Sequence, residues 1–593
     1  MQQKVILSGN EAVARGAWEA GVGLGIGYPG TPSTEIVEAL AEIKGPEVAW
    51  AVNEKVALEE AYGACVSGWR ALVTMKHVGL NVAADPLFTI AYMGVNGGLV
   101  IAVADDPGMH SSQNEQDNRW YALHAKVPML EPGDSRECLH FARLAFELSE
   151  RYDMPFLLRL VTRVSHSRGL VDIDPEMEYR RAQRPYERNV PKFVVLPAHA
   201  RQRRLVLEKN LASLLRDEDA RSVNVMEITS SEVGIVTSGA SYNYVKEAYG
   251  DRYSVLKLGL VYPLDREVIL EFARRVKRVY VVEELDPYLE ESVRALGISC
   301  EGKKYISPFF ELNPQLVAAS LSAAGLEPVE PLDPAATEPA PGVPARPPIL
   351  CAGCPHRAFF YLARREKVMV VGDIGCYTLG AAPPLDGIDV SACMGGGFSI
   401  ALGLSMNCPE GGKVFGVLGD STFYHSGITG AVDAIFNKRA IVPVVLDNRI
   451  TAMTGHQENP GTGRNLRGES VFVQEPERIF RAVGFDRVLT VNAYDLKGIR
   501  EAIRDAKTSA DSVAIVIKAP CRLIRGVRKG SCREVAVDSC KKCKSCLRLG
   551  CPAISLDEEG FPSIDPLSCA GCGVCEQVCK HDAIKTRDEE GMR

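Results

Sequence analysis

The sequence predicts a multidomain α/β protein that ends in a small cysteine-rich unit. Three observations predict it. Short apolar strands alternate with helices through residues 1–175, again from Val233, and again after Cys351. A proline-rich stretch, 327–348, divides the chain into two halves. Two runs of four cysteines close it. At 593 residues the chain exceeds what one hydrophobic core organises, so several domains are required. Its 46% apolar and 24% charged content are those of an ordinary globular protein. The net charge of −7 leaves no basic footprint for nucleic acid. No apolar run reaches the ~18 residues of a membrane span. The first ten residues enter an apolar strand without the regions of a signal peptide. Eighteen clustered cysteines point to metal in a reducing cytoplasm rather than to disulfides.

In the first half, Val5-Ile6-Leu7 predicts a strand, and Asn10 the cap of a helix opening at Glu11. The glycines from Gly21 to Gly27 lack the GxGxxG spacing, and the next helix comes too late for a dinucleotide loop. In Tyr28-Pro29-Gly30-Thr31-Pro32, Thr31 suits an N-cap and Pro32 a first helical position. Such a helix start is either a plain cap or an anion or cofactor site. The strand Val48–Val52 ends at Asn53-Glu54. The strands Ala71–Thr74 and Leu99–Ala104 end at Lys76-His77 and Asp105-Asp106, before the polar loop His110–Gln116. Ligands of open α/β sheets sit at such carboxyl ends. Residues 1–175 therefore read as one domain and 176–225 as a charge-rich helical excursion and linker. A second α/β unit, 226–326, carries strands at Val233–Thr237, Val255–Leu258 and Val279–Val282. Glu283 and Glu284 are expected at its solvated strand end. The linker 327–348 is extended and semi-rigid.

The domain after the linker, 349–528, opens with Cys351-Ala352-Gly353-Cys354-Pro355-His356. The strand Val368–Val371 leads to Cys376, and a glycine run follows at Gly395. An apolar strand from Val414 ends in Gly419-Asp420-Ser421, and a second, Ile441–Leu446, ends in Asp447-Asn448. Gly-Asp and Asp-Asn are also ordinary turn dipeptides. Asp420 and Asn448 nevertheless stand 28 positions apart on two buried strands, which resembles the thiamine diphosphate signature with Ser421 in place of its last glycine. Mg²⁺ takes one or two protein oxygens plus phosphate oxygens. Asp420, Asn448 and the Ile450 carbonyl could supply the protein's share, with Thr451 following.

The last segment, 529–593, holds Cys540-x2-Cys543-x2-Cys546-x4-Cys551-Pro552 and Cys569-x2-Cys572-x2-Cys575-x3-Cys579. In two-cluster ferredoxins the fourth cysteine of a run ligates the other [4Fe–4S] cluster. That assigns Cys540, Cys543, Cys546 and Cys579 to one cluster, and Cys551, Cys569, Cys572 and Cys575 to the other. Zinc also takes four cysteines in CxxC pairs. A third cysteine two residues on, twice over, suits a cubane better. The first run carries one residue more than usual before its last cysteine, and Lys580 stands where proline is common.

Over nearly its whole length, and in the same order, the chain resembles the 2-oxoacid:ferredoxin oxidoreductases. Within them it is most similar to the large subunits of the branch acting on indolepyruvate. Tyr28–Pro32, Val52–Ala57, Thr74–Asn81, Ala104–Gly108, Cys351–His356, Asp447–Gln457 and the cysteine runs carry the likeness. It implies two doubly wound thiamine-diphosphate-binding domains, a transketolase C-terminal-like α/β domain at 226–326, and a terminal two-cluster ferredoxin domain. It implies that Glu54 hydrogen-bonds the aminopyrimidine ring and that Thr31 lies near the reacting carbon. Gly419, Asp420, Ser421, Asn448, Ile450, Thr451, His356 and Gly395 would then hold the diphosphate and Mg²⁺. A third cluster on Cys351, Cys354, Cys376 and Cys521 is implied too, the alternative being a turn and two buried thiols. The implied reaction is oxidative decarboxylation of an arylpyruvate to an aryl-acetyl-CoA and CO₂, with electrons passing to ferredoxin. Pyruvate, a branched-chain 2-oxoacid, and a non-oxidative decarboxylase remain as alternatives. The implied partners are a smaller subunit bearing a gamma-type domain, ferredoxin and coenzyme A, in a dimer of heterodimers; neither nucleic acid nor membrane is implied.

Overall fold

The computed structural model describes residues 3–330, 344, 347–407, 412–527 and 529–587. Most of the expected linker 327–348 lies outside the described residues. The chain forms two compact units, Met1–Val343 and Pro344–Arg593.

The first unit is built on a seven-stranded sheet in the order Leu260–Tyr262, Met129–Leu130, Phe156–Val161, Leu99–Asp105, Ala71–Lys76, Leu24–Gly27, Glu47–Trp50. All neighbours run parallel except the first pair. The central strands Ala71–Lys76 and Leu99–Asp105 are buried throughout, as parallel strands covered on both faces must be. Parallel order forces every crossover through a helix and gathers the strand ends Tyr28, Lys76 and Asp105 on one edge. The predicted N-terminal strand forms, as Gln3–Ser8, but outside this sheet. It pairs only with Arg168–Ile173, antiparallel.

A second sheet, five-stranded, carries Val233–Ser238, Ser254–Leu258 and Arg278–Val282 side by side and parallel. The chain leaves it at Leu258 and at once adds Leu260–Tyr262 to the edge of the first sheet. The 226–326 stretch therefore lends a strand to its neighbour, a register no local pattern shows. Helix Pro197–Leu214 occupies the charge-rich stretch between them.

The second unit carries a six-stranded, all-parallel sheet: Val390–Ser391, Met369–Gly372, Val414–Gly419, Ile441–Asp447, Val513–Lys518, Arg487–Asn492. Val414–Gly419 and Ile441–Asp447 are adjacent and wholly buried, so Asp420 and Asn448 emerge from neighbouring strand ends. The terminal segment adds two antiparallel pairs, Arg533–Val535 with Ile584–Thr586 and Ile554–Leu556 with Pro562–Ile564. Its Cys546, Leu549, Val574 and Val578 share a core with Phe359, Phe360 and Leu496 of the sheet domain. No helix among the described residues is long and apolar enough to cross a membrane.

Candidate functional site

In the first unit, the expected helix cap at Thr31 is not found. The helix spans Thr34–Glu42 behind Ser33, and the Thr31–Pro32 peptide is cis. Asn10 caps nothing either. Ser8 closes a capping box with Glu11, while Asn10 Nδ2 donates to Pro32 O at 2.7 Å and to Glu35 at 2.9 Å. A buried amide thus holds the Thr31 turn from below. The sequence position was legible; its use was not, because the partner lies 22 residues away.

Around that turn stand the ends of three parallel strands. Lys76 Nζ donates to Ser111 O at 2.7 Å and lies 3.9 Å from Asp106; burial brings its pKa down to about 8. Ser111 Oγ in turn reaches Thr31 O at 3.3 Å. Asp106 accepts from Ser111 N, Ser112 and Thr162, and these bonds outweigh burial and lower its pKa. His77 is fully buried and pushed down to about 4, so its ring is neutral. Glu54 opens helix Glu54–Val66 and is 5% exposed. A Cβ at Gly79 would come 2.7 Å from Glu54 Cγ and Oε1, so the backbone closes directly over that carboxyl.

Glu283 and Glu284 are not solvated. Both are buried: Glu283 with Arg119 drawn inside beside it, Glu284 with its carboxylate accepting from Leu312 N at 2.9 Å. Arg119 binds Asp117 and Glu283 at 2.5 and 2.7 Å, and Arg159 binds Asp105 and Glu131 at 2.7 and 2.5 Å. The network joins the two sheets of this unit; Glu284 stands outside its ion pairs, and burial pushes its carboxyl up to about 7.

In the second unit three oxygens meet. Turned inward, the Asn448 amide oxygen stands 2.8 Å from Asp420 Oδ1 and 2.9 Å from Ile450 O. Turned the other way, the nitrogen donates to both. Oxygen-inward is repulsive alone and is what a hard cation selects. The donor set therefore fits Mg²⁺. Burial, then Asp447, raise the Asp420 pKa, and Asn459 Nδ2 steadies its second oxygen at 3.0 Å. Asp447 itself is balanced by Arg449 and Lys518. Thr451 Oγ1 donates to Ser421 Oγ at 2.9 Å beside the triad.

A second group of buried polar residues stands at the end of the next strand, Met369–Gly372. Gly395 has φ 80° and opens helix Gly396–Ser405; a Cβ there would meet Ser426 Oγ at 2.1 Å, so only glycine fits. Its N–H donates to Asp373 Oδ2 at 2.7 Å, and Asp373 also accepts from Tyr377. Burial raises the Asp373 carboxyl far above its usual range. His356 is buried against Tyr377 with neither ring nitrogen hydrogen-bonded, and its pKa falls to about 4. An orphaned neutral imidazole at a helix N-terminus suits a bound diphosphate. Asp373, Tyr377, Ser426 and Asn459 were missed from sequence. Only Asp373 had a signal: Gly372-Asp373 repeats the Gly-Asp of residues 419 and 420 at a strand end.

The thiols gather as three quartets. Cys540, Cys543, Cys546 and Cys579 line one cavity. Cys551, Cys569, Cys572 and Cys575 line another, with Cys354 and Gly353 in its wall. Cys351, Cys354, Cys376 and Cys521 feel one another. Burial first, then the neighbouring thiols, push Cys354 up to about 12 and Cys376 to about 11. Among the described residues no three such ligands close on a single ion; the two terminal quartets line cavities instead. The Cys521 N–H donates to Asn448 O at 2.9 Å, tying the third quartet to the oxygen triad. Gly353, at φ 68°, approaches so closely that a Cβ would stand 2.5 Å from Ala570 Cβ, between Cys569 and Cys572.

Comparison with known proteins agrees with this layout. Residues 15–220 match the family described as pyruvate flavodoxin/ferredoxin oxidoreductase, thiamine diP-binding. Residues 373–517 match thiamine pyrophosphate enzyme, C-terminal TPP binding domain, and 562–585 match a 4Fe-4S binding domain. The indolepyruvate oxidoreductase subunit IorA of Archaeoglobus fulgidus is 41% identical over 98% of this chain and 97% of its own. That of Methanothermobacter thermautotrophicus is 42% identical over 98% and 97%, and that of Pyrococcus abyssi 38% over 99% and 98%.

Proposed function

The chain belongs to the indolepyruvate oxidoreductase IorA family of 2-oxoacid:ferredoxin oxidoreductases, and from that premise we propose that it oxidatively decarboxylates arylpyruvates, indolepyruvate first among them, to aryl-acetyl-CoA and CO₂. It is an α/β enzyme with thiamine-binding domains and a terminal iron–sulfur domain. The single observation that carries the reading is the place of Asn448: its side-chain amide meets Asp420 Oδ1 and Ile450 O, and its backbone carbonyl accepts from the Cys521 N–H.

When bound, thiamine diphosphate supplies the carbanion nucleophile and electron sink, and iron–sulfur clusters accept electrons singly. Asp420, Asn448 and the Ile450 carbonyl hold Mg²⁺, while Gly395, His356, Ser421, Thr451 and the Gly419 turn bind the diphosphate. Glu54, under Gly79, would hydrogen-bond the ring nitrogen of the aminopyrimidine, and its burial excludes water. Thr31, braced by Asn10 and Ser111, lines the place of the reacting carbon. The two terminal quartets each hold a [4Fe–4S] cluster, and Cys351, Cys354, Cys376 and Cys521 hold a third. The domain limits that go with these roles are 1–175, 226–326, 349–528 and 529–593. A smaller subunit with the gamma-type domain completes the enzyme in the cytoplasm, as two such pairs, with ferredoxin as acceptor and coenzyme A as co-substrate.

The test is anaerobic purification with the partner subunit, metal and cofactor analysis, and dye reduction by indolepyruvate with coenzyme A. About twelve irons per chain supports three cubanes; about eight removes the third. Aldehyde formation without dye reduction would instead identify a non-oxidative decarboxylase.

A further inference from the structure

The two terminal quartets meet different surroundings. The inner one, with Cys569 and Cys572, packs on the Gly353 turn of the sheet domain, and Arg522 donates to Ala570 O at 3.1 Å between them. The outer one, with Cys540, Cys543, Cys546 and Cys579, has Lys541, Lys544 and His581 in its cavity wall. Cys543 is exposed. Lys580 directly follows Cys579, another residue lining this cavity.

Lys541, Lys542, Lys544, Arg548 and Lys580 are all exposed. Between residues 538 and 549 four of these cations face a single carboxylate, Asp538, in a chain whose net charge is −7. Among the described residues, the ion pairs of this segment join Arg533 to Glu576 and Arg587 to Glu534, leaving the five cations outside them. Lys542 makes only a backbone bond, to Glu559 O at 2.7 Å, and lies over the Phe561 ring. Positive charge therefore borders the outer cavity at the point where its ligand Cys543 is exposed.

We propose that this face is where the electron acceptor docks, and that the acceptor is a small acidic protein carrying a one-electron iron–sulfur centre. The inference rests on the oxidoreductase reading above. One electron leaves the reduced outer cluster and enters the oxidised centre of the carrier. Each 2-oxoacid decarboxylated yields two electrons, so two carriers are reduced by one electron each. Opposite charge steers such encounters, raising association rates by roughly 10–10³-fold, and salt removes the gain.

The experiment uses the anaerobic holoenzyme with its partner subunit, an acidic two-cluster ferredoxin as probe, and methyl viologen as a small cationic control. The expected kcat/KM for the ferredoxin falls about tenfold or more between ~50 mM and ~500 mM salt, while the dye rate does not fall. K542E/R548E raises the KM for ferredoxin about tenfold and leaves dye reduction and iron content unchanged. If that variant loses iron, the wild-type salt response and the milder K542Q/R548Q decide on the same criteria. Equal salt response of both acceptors, an unchanged KM, or release of the partner subunit from the variant would overturn the proposal. Absence of dye reduction by the wild type overturns the oxidoreductase reading itself.

Discussion

Asp420 and Asn448 show what a pair of side chains does when burial and charge conflict. A buried carboxylate facing two other oxygens is costly until a cation joins it. We expect Asp420→Ala to weaken thiamine diphosphate and Mg²⁺ binding by more than about 100-fold, beyond what loss of an outer partner costs; titration calorimetry measures it. Asp420→Asn, which removes the buried charge, should raise the apo protein's melting temperature while binding stays lost. Retained binding in either variant would place the cation elsewhere. His356 gives a pH signature. Its pKa falls from 6.5 to about 4 on folding, through burial. Between those values the unfolded chain binds a proton that the folded chain refuses. Stability is therefore intact above pH 6.5 and declines as pH falls toward 4, by up to ~1.4 kcal/mol per pH unit. His356→Gln should flatten that part of the curve for the unit holding it, read by calorimetry from pH 4 to 7. An unchanged slope would mean the ring is already protonated or solvated.

At the scale of elements, the strand ends matter more than the strands. Val414–Gly419 and Ile441–Asp447 could be read from sequence because buried parallel strands need continuous apolar runs. Thr31 could be found but not understood. The stretch looks like a helix start, yet the helix begins at Thr34 and the turn is held by Asn10. Glu283 and Glu284 misled for a related reason: carboxylates at a strand end are solvated unless a distant partner buries with them, and Arg119 lies 164 residues before Glu283. Arg119→Ala leaves Glu283 buried without its ion-pair partner and Asp117 with only Arg159, 3.7 Å away. It should cost the first unit about 3–5 kcal/mol, seen as a lowered thermal transition. A loss under ~1 kcal/mol, the range of a solvated pair, would show the network to be water-screened.

For the whole molecule, the arrangement of thiols is the telling feature. The two terminal quartets line separate cavities, and Cys354, which has Cys351 and Cys376 for neighbours, stands in the wall of the inner one. Cys354→Ser with Cys376→Ser should remove about four irons per chain and leave the two ferredoxin-type signals in the paramagnetic resonance spectrum. Loss of all signals would tie the quartets together as one folding unit. Unchanged iron would return Cys354 and Cys376 to structural thiols.

Cofactor chemistry was written locally. Cysteine spacing and Gly-Asp at the end of an apolar strand need no partner to be recognised, since the ligand geometry itself demands those residue types. Tertiary structure alone decided which amide braces the Thr31 turn, that Leu260–Tyr262 belongs to the neighbouring sheet, and that Cys354 stands in the wall of a terminal quartet. Those pairings join residues far apart in the chain. They depend on burial and packing, which residue identity does not reveal until the chain has closed on itself.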